Sequence, residues 1–127
     1  MDTSKIDRAQ AAPDPTLAKW FEGDALFQRL TPERDVELLV VFFGAGARTR
    51  PHIHPVDQTL YFVEGSGVVA TEDALIHTSP GDFVTIPAGV WHWHGAAPNA
   101  TTTHISIKRP GPTDWNAEEK NWGNERG

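Results

Sequence analysis

Two stretches decide how this chain reads: GARTRPHIHPVDQTLYFVEG at residues 46–65 and GDFVTIPAGVWHWHGA at residues 81–96. Each holds a His-x-His pair, His52/His54 and His92/His94. On a strand, residues i and i+2 project to one face, so each pair presents two imidazoles side by side. Gln58 shares the parity of His52 and His54, whereas Asp57 does not. On an unbroken strand the amide, and not the neighbouring carboxylate, therefore joins the pair. A single histidine is usually held by ordinary hydrogen bonds. Two such pairs beside Pro/Gly turns in 127 residues point instead to a metal-ligand cluster. His77, alone between Leu75-Ile76 and Thr78-Ser79-Pro80, reads as a solvated loop residue.

Working outward, the chain has β character from Val36 onward. Val36 to Phe43 is a nearly continuous branched and aromatic run, the mark of a buried strand. Further short strands are expected at Gln58 to Val63, Gly67 to Ala70, Phe83 to Ile86 and Thr101 to Ile107. Between them lie Glu-Gly-Ser-Gly, Ser-Pro-Gly-Asp and Pro-Ala-Gly, which are turn chemistry. Short strands at regular spacing without intervening helices predict an all-β sandwich or barrel. Leu17 to Leu30 admits either a short helix or an edge strand. The polar, Ala/Pro-rich residues 1–16 read as a loose arm, residues 17–110 as the barrel and residues 111–127 as a polar tail. In that tail, Trp115 and Trp122 are the residues able to dock.

Composition sets the outer limits. Charged residues at 22% and hydrophobic ones at 39% belong to an ordinary globular domain. Cysteine is absent, which removes thiolate nucleophiles, Cys-ligated metals and disulfides. A formal charge of −6 argues against a nucleic-acid partner. No segment has the length of apolar chain that a membrane helix or a signal peptide needs, so a cytoplasmic location is the default expectation.

The spacing of the two stretches resembles the two cupin motifs. The first follows Gly-x5-His-x-His-x3-Glu-x6-Gly through Gly46, His52, His54 and Gly65, with Gln58 at the Glu position. The second follows Gly-x5-Pro-x-Gly-x2-His-x3-Asn through Gly81, Pro87, Gly89 and His92, with Ala96 at the Asn position. The resemblance implies an all-β cupin double-stranded β-helix, a jelly-roll barrel with a divalent metal inside. Carried over by position, the ligands are His52, His54, Gln58 and His92. GART, H-x-HP-x-x-QTL, HWHGAAP, THISI and the late Asp114-Trp115 are similar to the small bacterial manganese cupins that act as hydroxynitrile lyases. That narrower resemblance implies manganese(II), with iron(II), nickel(II) or zinc(II) as alternatives, and a small-molecule substrate. The cupin resemblance also implies a homodimer or higher homo-oligomer, for which Val36 to Phe43 is apolar enough to be covered.

A neutral amide beside three neutral imidazoles leaves the full charge on a divalent ion, which favours Lewis-acid chemistry on a carbonyl or cyanohydrin. His94, on the face of His92, is a fifth ligand, a general base or a rim residue. On the last strand Thr102, His104, Ser106 and Lys108 form one face. The lyase resemblance implies that a histidine at the position of His104 faces the metal cavity, with Lys108 on the same face, so His94, His104 and Lys108 are the catalytic candidates. A cation at Lys108 suits an anionic substrate, unless it has already left the barrel mouth. Trp91 and Trp93, of opposite parity to His92, read as packing or dimer contacts, and Phe42, Tyr61 and Phe83 as core. The expected activity is a metal-dependent lyase. A non-haem dioxygenase and a non-catalytic small-molecule-binding module are the alternatives.

Overall fold

The run ELLVVFF forms strand β3, Glu37–Phe43, and its alternation sets the inside and outside of the fold. The computed structural model describes residues 1–31 and 35–116. Before β3 come a 3-10 turn at Arg8–Gln10, helix α1 at Pro15–Ala18, β1 at Phe21–Glu22 and β2 at Ala25–Thr31. After it come β4 at Arg48–Thr49, β5 at Gln58–Gly65, β6 at Gly67–Thr71 and β7 at Leu75–Thr78. The last are β8 at Phe83–Ile86, β9 at His92–Ala96 and β10 at Thr102–Lys108. They build two five-stranded antiparallel sheets, in the orders β1-β4-β9-β6-β7 and β2-β3-β10-β5-β8.

The inner faces of the two sheets enclose the core and the site. In register, β10 sets His104 opposite Val41 and Phe62, and Ser106 opposite Leu39 and Leu60. One apolar cluster joins Phe27, Val41, Phe43, Ala47 and Ala96, and a second joins Leu60, Phe62, Val69 and Ile86. Phe43 of the first and Phe62 of the second also pack on the His104 ring. Gly65 ends the first motif at φ 80°, where a Cβ would collide with the Thr101 carbonyl. Only glycine permits β10 to approach so closely.

Several expectations change against the structure. Leu17 to Leu30 is both helix and strand: Leu17 lies in the single turn of α1, capped by Asp14, and β1 and β2 follow. His77 lies on an exposed strand, β7, and not in a loop. The N-terminal segment is tied down. Ala12 exchanges backbone hydrogen bonds with Phe27 at 2.9 and 3.0 Å, and Gln28 Nε2 donates to the Lys5 carbonyl at 2.9 Å. Arg8 lies 5.5 Å over the Phe42 ring, so this segment covers the outer side of β3, where Val40 and Phe42 are buried. β3 is thus an interior strand with its outer face already occupied. Phe83, expected in the core, is 66% exposed and stacks on Tyr61. Trp93 packs against Val68 and Ala70, under the Arg48 guanidinium at 4.4 Å. Trp122 lies outside the described residues. Among those described, no helix is long and apolar enough to cross a membrane.

Candidate metal centre

His52 lies just beyond β4 and faces His92 on β9, each backbone N–H donating to the other's carbonyl at 2.9 and 3.0 Å. Past Ile53 the chain turns, and β5 opens with Gln58 in the opposite sheet. The strand between His54 and Gln58 is therefore broken. The parity argument for Gln58 does not hold, although the amide does reach the site from the other wall. Asp57 is exposed and accepts from the Ala88 N–H at 2.9 Å.

Ring nitrogens of His52, His54 and His92 all lie within 4.8 Å of one another, and all three residues are buried. Their outer nitrogens are claimed. His52 Nδ1 donates to the Arg50 carbonyl at 2.7 Å and His92 Nδ1 to the Val90 carbonyl at 2.9 Å. His54 Nδ1 sits 3.1 Å from Thr113 Oγ1. A carbonyl only accepts, so it fixes the tautomer and turns Nε2 inward as a lone pair. His54 Nε2 is buried with no hydrogen-bond partner. Gln58 Nε2 donates to Ser106 Oγ at 2.8 Å, which points Oε1 at His92 Nε2, 3.0 Å away. Two lone pairs so close, beside a third with no partner, are satisfied by a cation. The donor set of three imidazoles and one amide fits a divalent metal.

Burial is the first cause of the low basicity of these rings. It holds His92 at about 4 and, with repulsion from His92, His54 at about 3. His52 is lowered well below 6.5 by burial and then by His92. Ligand imidazoles must be neutral, and at neutral pH these are.

His94 and His104 form a second pair beside the first. His94 Nδ1 lies 2.9 Å from His104 Nε2, and both rings pack on Phe43. His94 Nε2 is buried without a partner. Burial, then His104, lowers His94 strongly, and burial lowers His104 to about 4. His52, His54, His94 and His104 border a cavity of about 90 Å³ whose apolar wall includes Leu17, Phe21, Leu39 and Val41. Lys108 lines it as well, its side chain 14% exposed, so it has not left the barrel mouth. Two further residues come from the tail. Trp115 lies 4.4 Å from the His52 ring and stacks on Trp20 at 5.4 Å. Asp114 and Ile53 exchange backbone hydrogen bonds at 3.0 Å, which places Thr113 on His54. The role of Thr113 had no signal in the sequence, because it depends on a tail that folds back.

A barrel with this motif spacing and this histidine cluster defines a class. Residues 39–107 match the cupin domain family, and the chain belongs to it. It is 42% identical to an (R)-mandelonitrile lyase of Granulicella tundricola over 113 residues, 85% of this chain and 84% of that protein. It is 28% identical to an acireductone dioxygenase of Xenopus laevis, over 72% of this chain but 55% of that longer protein. Among solved structures, a cupin-like protein from Thermotoga maritima superposes with a TM-score of 0.74 at 27% identity. The match covers 95% of this chain and 90% of that one.

Proposed function

We propose that this cupin is a metal-dependent lyase of the hydroxynitrile lyase type, cleaving or forming cyanohydrins. The observation that carries the reading is the convergence of three imidazole nitrogens and a neutral amide oxygen beside His94, whose Nε2 is buried and unpartnered. The 42% identity to a mandelonitrile lyase supports it. His52, His54, Gln58 and His92 would hold the ion, manganese(II) on the resemblance. When bound, it supplies a Lewis acid whose charge the ligands leave uncompensated.

The chain's own groups move the proton. In the tautomer that leaves His94 Nε2 as a lone pair, its Nδ1–H donates to His104 Nε2, which holds the ring in place. His94 Nε2 takes the hydroxyl proton of the cyanohydrin. The O–H electrons become the carbonyl π bond as the carbon–carbon bond to cyanide breaks, its pair leaving with the cyanide. Return of the proton from His94 gives hydrogen cyanide, and the reverse sequence forms the cyanohydrin. The apolar wall of Leu17, Phe21, Leu39 and Val41 receives the carbonyl compound's substituent.

The test is release of benzaldehyde from mandelonitrile by the manganese-loaded protein, with loss of turnover in His94→Ala and His104→Ala. No cyanide release by the parent, from mandelonitrile or from the cyanohydrin of a short keto acid, would refute the reading. A second reading, a non-haem metal dioxygenase, has the acireductone dioxygenase likeness in its favour, and oxygen uptake after anaerobic loading with iron(II) tests it. A homodimer belongs to the first reading. The exposed Phe83–Tyr61 stack offers an apolar contact, and sedimentation at about 14 kDa, the mass of one chain, would remove it.

A further inference from the structure

Lys108 ends the inner face of β10, in register with Glu37 on β3 and Gln58 on β5. Its ammonium donates to Glu37 Oε1 at 2.8 Å and to the Arg109 carbonyl at 3.4 Å. An ammonium has three donors, so one is left for a ligand. Glu37 does not neutralise it alone with full effect, because Arg29 Nη1 shares the same carboxylate at 4.0 Å and Glu37 is 31% exposed to water. Among the described residues, no carboxylate lines the cavity. A mostly buried cation beside a cationic metal site is costly for the empty protein, and an anion brought in by the substrate offsets that cost.

We propose that the substrate of this site carries a carboxylate that docks on Lys108 while its reacting oxygen faces the histidine cluster. This names the substrate class of the proposed lyase and rests on that reading for the reaction, though not for the anion site. The small cavity, about 90 Å³, suits a short carboxylate. Glu37 then acts as a counter-ion that the substrate partly displaces.

Titration calorimetry of the manganese-loaded protein with propionate and with its neutral isostere propionamide tests the proposal. Propionate is expected to bind about tenfold more weakly to Lys108→Gln, with propionamide little changed, because one short-range charge pair is lost. Glu37→Gln keeps the ammonium and removes its competitor, so propionate should bind at least about threefold more tightly. Opposite shifts in the two variants support the site, and any other pattern overturns it. Should Lys108→Gln fail to fold, the sign of the Glu37→Gln shift decides alone. Absence of cyanide release from both mandelonitrile and the cyanohydrin of a short keto acid, with the propionate pattern intact, counts only against the lyase reading. Cleavage with propionate binding indifferent to both substitutions counts only against the anion site.

Discussion

Gln58 Oε1 stands 3.0 Å from His92 Nε2, an acceptor facing an acceptor across the join of two sheets. The Val90 carbonyl already takes the one proton of neutral His92, so the contact sets two lone pairs together, which a divalent ion held by these residues would satisfy. His52→Ala or His92→Ala should therefore abolish stoichiometric metal while the apolar clusters keep the barrel folded. Elemental analysis and circular dichroism of the variants check both parts. A variant that keeps its metal would remove these residues from the ligand set.

Ser106 holds the Gln58 amide the right way round, accepting from Nε2 so that Oε1 faces inward. Ser106→Ala should weaken metal affinity by about tenfold or more, the usual effect of removing a group that orients a ligand. Competition with a chelating dye reads this without any assay of turnover. Unchanged affinity would show that the amide keeps its orientation without the hydroxyl.

Gln58→Glu places a carboxylate where the amide is neutral. Metal should bind more tightly, through a Coulomb attraction that is large at short range. Cyanohydrin cleavage should fall about tenfold for each ~1.4 kcal/mol of transition-state stabilisation lost with the ion's reduced pull on oxygen. Oxygen chemistry should move the opposite way, since a carboxylate helps a metal reach higher oxidation states. Parent-level cleavage by a fully loaded Gln58→Glu protein would show that ligand neutrality does not set the reaction.

Burial lowers His92 and His104 from 6.5 to about 4 in the folded chain. Between those values the unfolded chain binds more protons than the native one, so acid favours unfolding. The metal-free protein should lose stability as pH falls from 6.5 towards 4, these two contributing up to about 1.4 kcal/mol per pH unit each, and the loss continues below 4 because His54 is lowered to about 3. Thermal melts of metal-free protein from pH 7.5 to 4.5 measure the slope. His104→Phe, which removes one titrating ring, should flatten it.

The β character and the two motif stretches were legible because branched runs and Pro/Gly turns are local signals. The placement of Gln58 was legible for the wrong physical reason. His52 and Gln58 belong to opposite sheets, and the periodicity of one strand cannot describe a crossing. Leu17 to Leu30 stayed ambiguous because two residues of β1, Phe21 and Glu22, pair with Thr49 and Arg48, which is a tertiary fact. Phe83 misled for the complementary reason: its hydrophobicity says bury, but β8 is a sheet edge and the ring points outward onto Tyr61. Trp115 was legible as a residue able to dock, but where it docks, and Thr113 altogether, needed the return of the tail over Ile53.

The two walls of the barrel contribute to one ion: His52, His54 and His92 from one side, Gln58 from the other. In a chain without cysteine, such an ion takes the place of a cross-link. It can engage all four donors only after the walls have met, so it holds the native barrel against any state in which they are apart. Loading the ion should thus lengthen the lifetime of the native barrel under denaturant. The metal that serves the chemistry would then also act as the latch against unfolding, and stripping it would shorten the protein's persistence before it altered its shape.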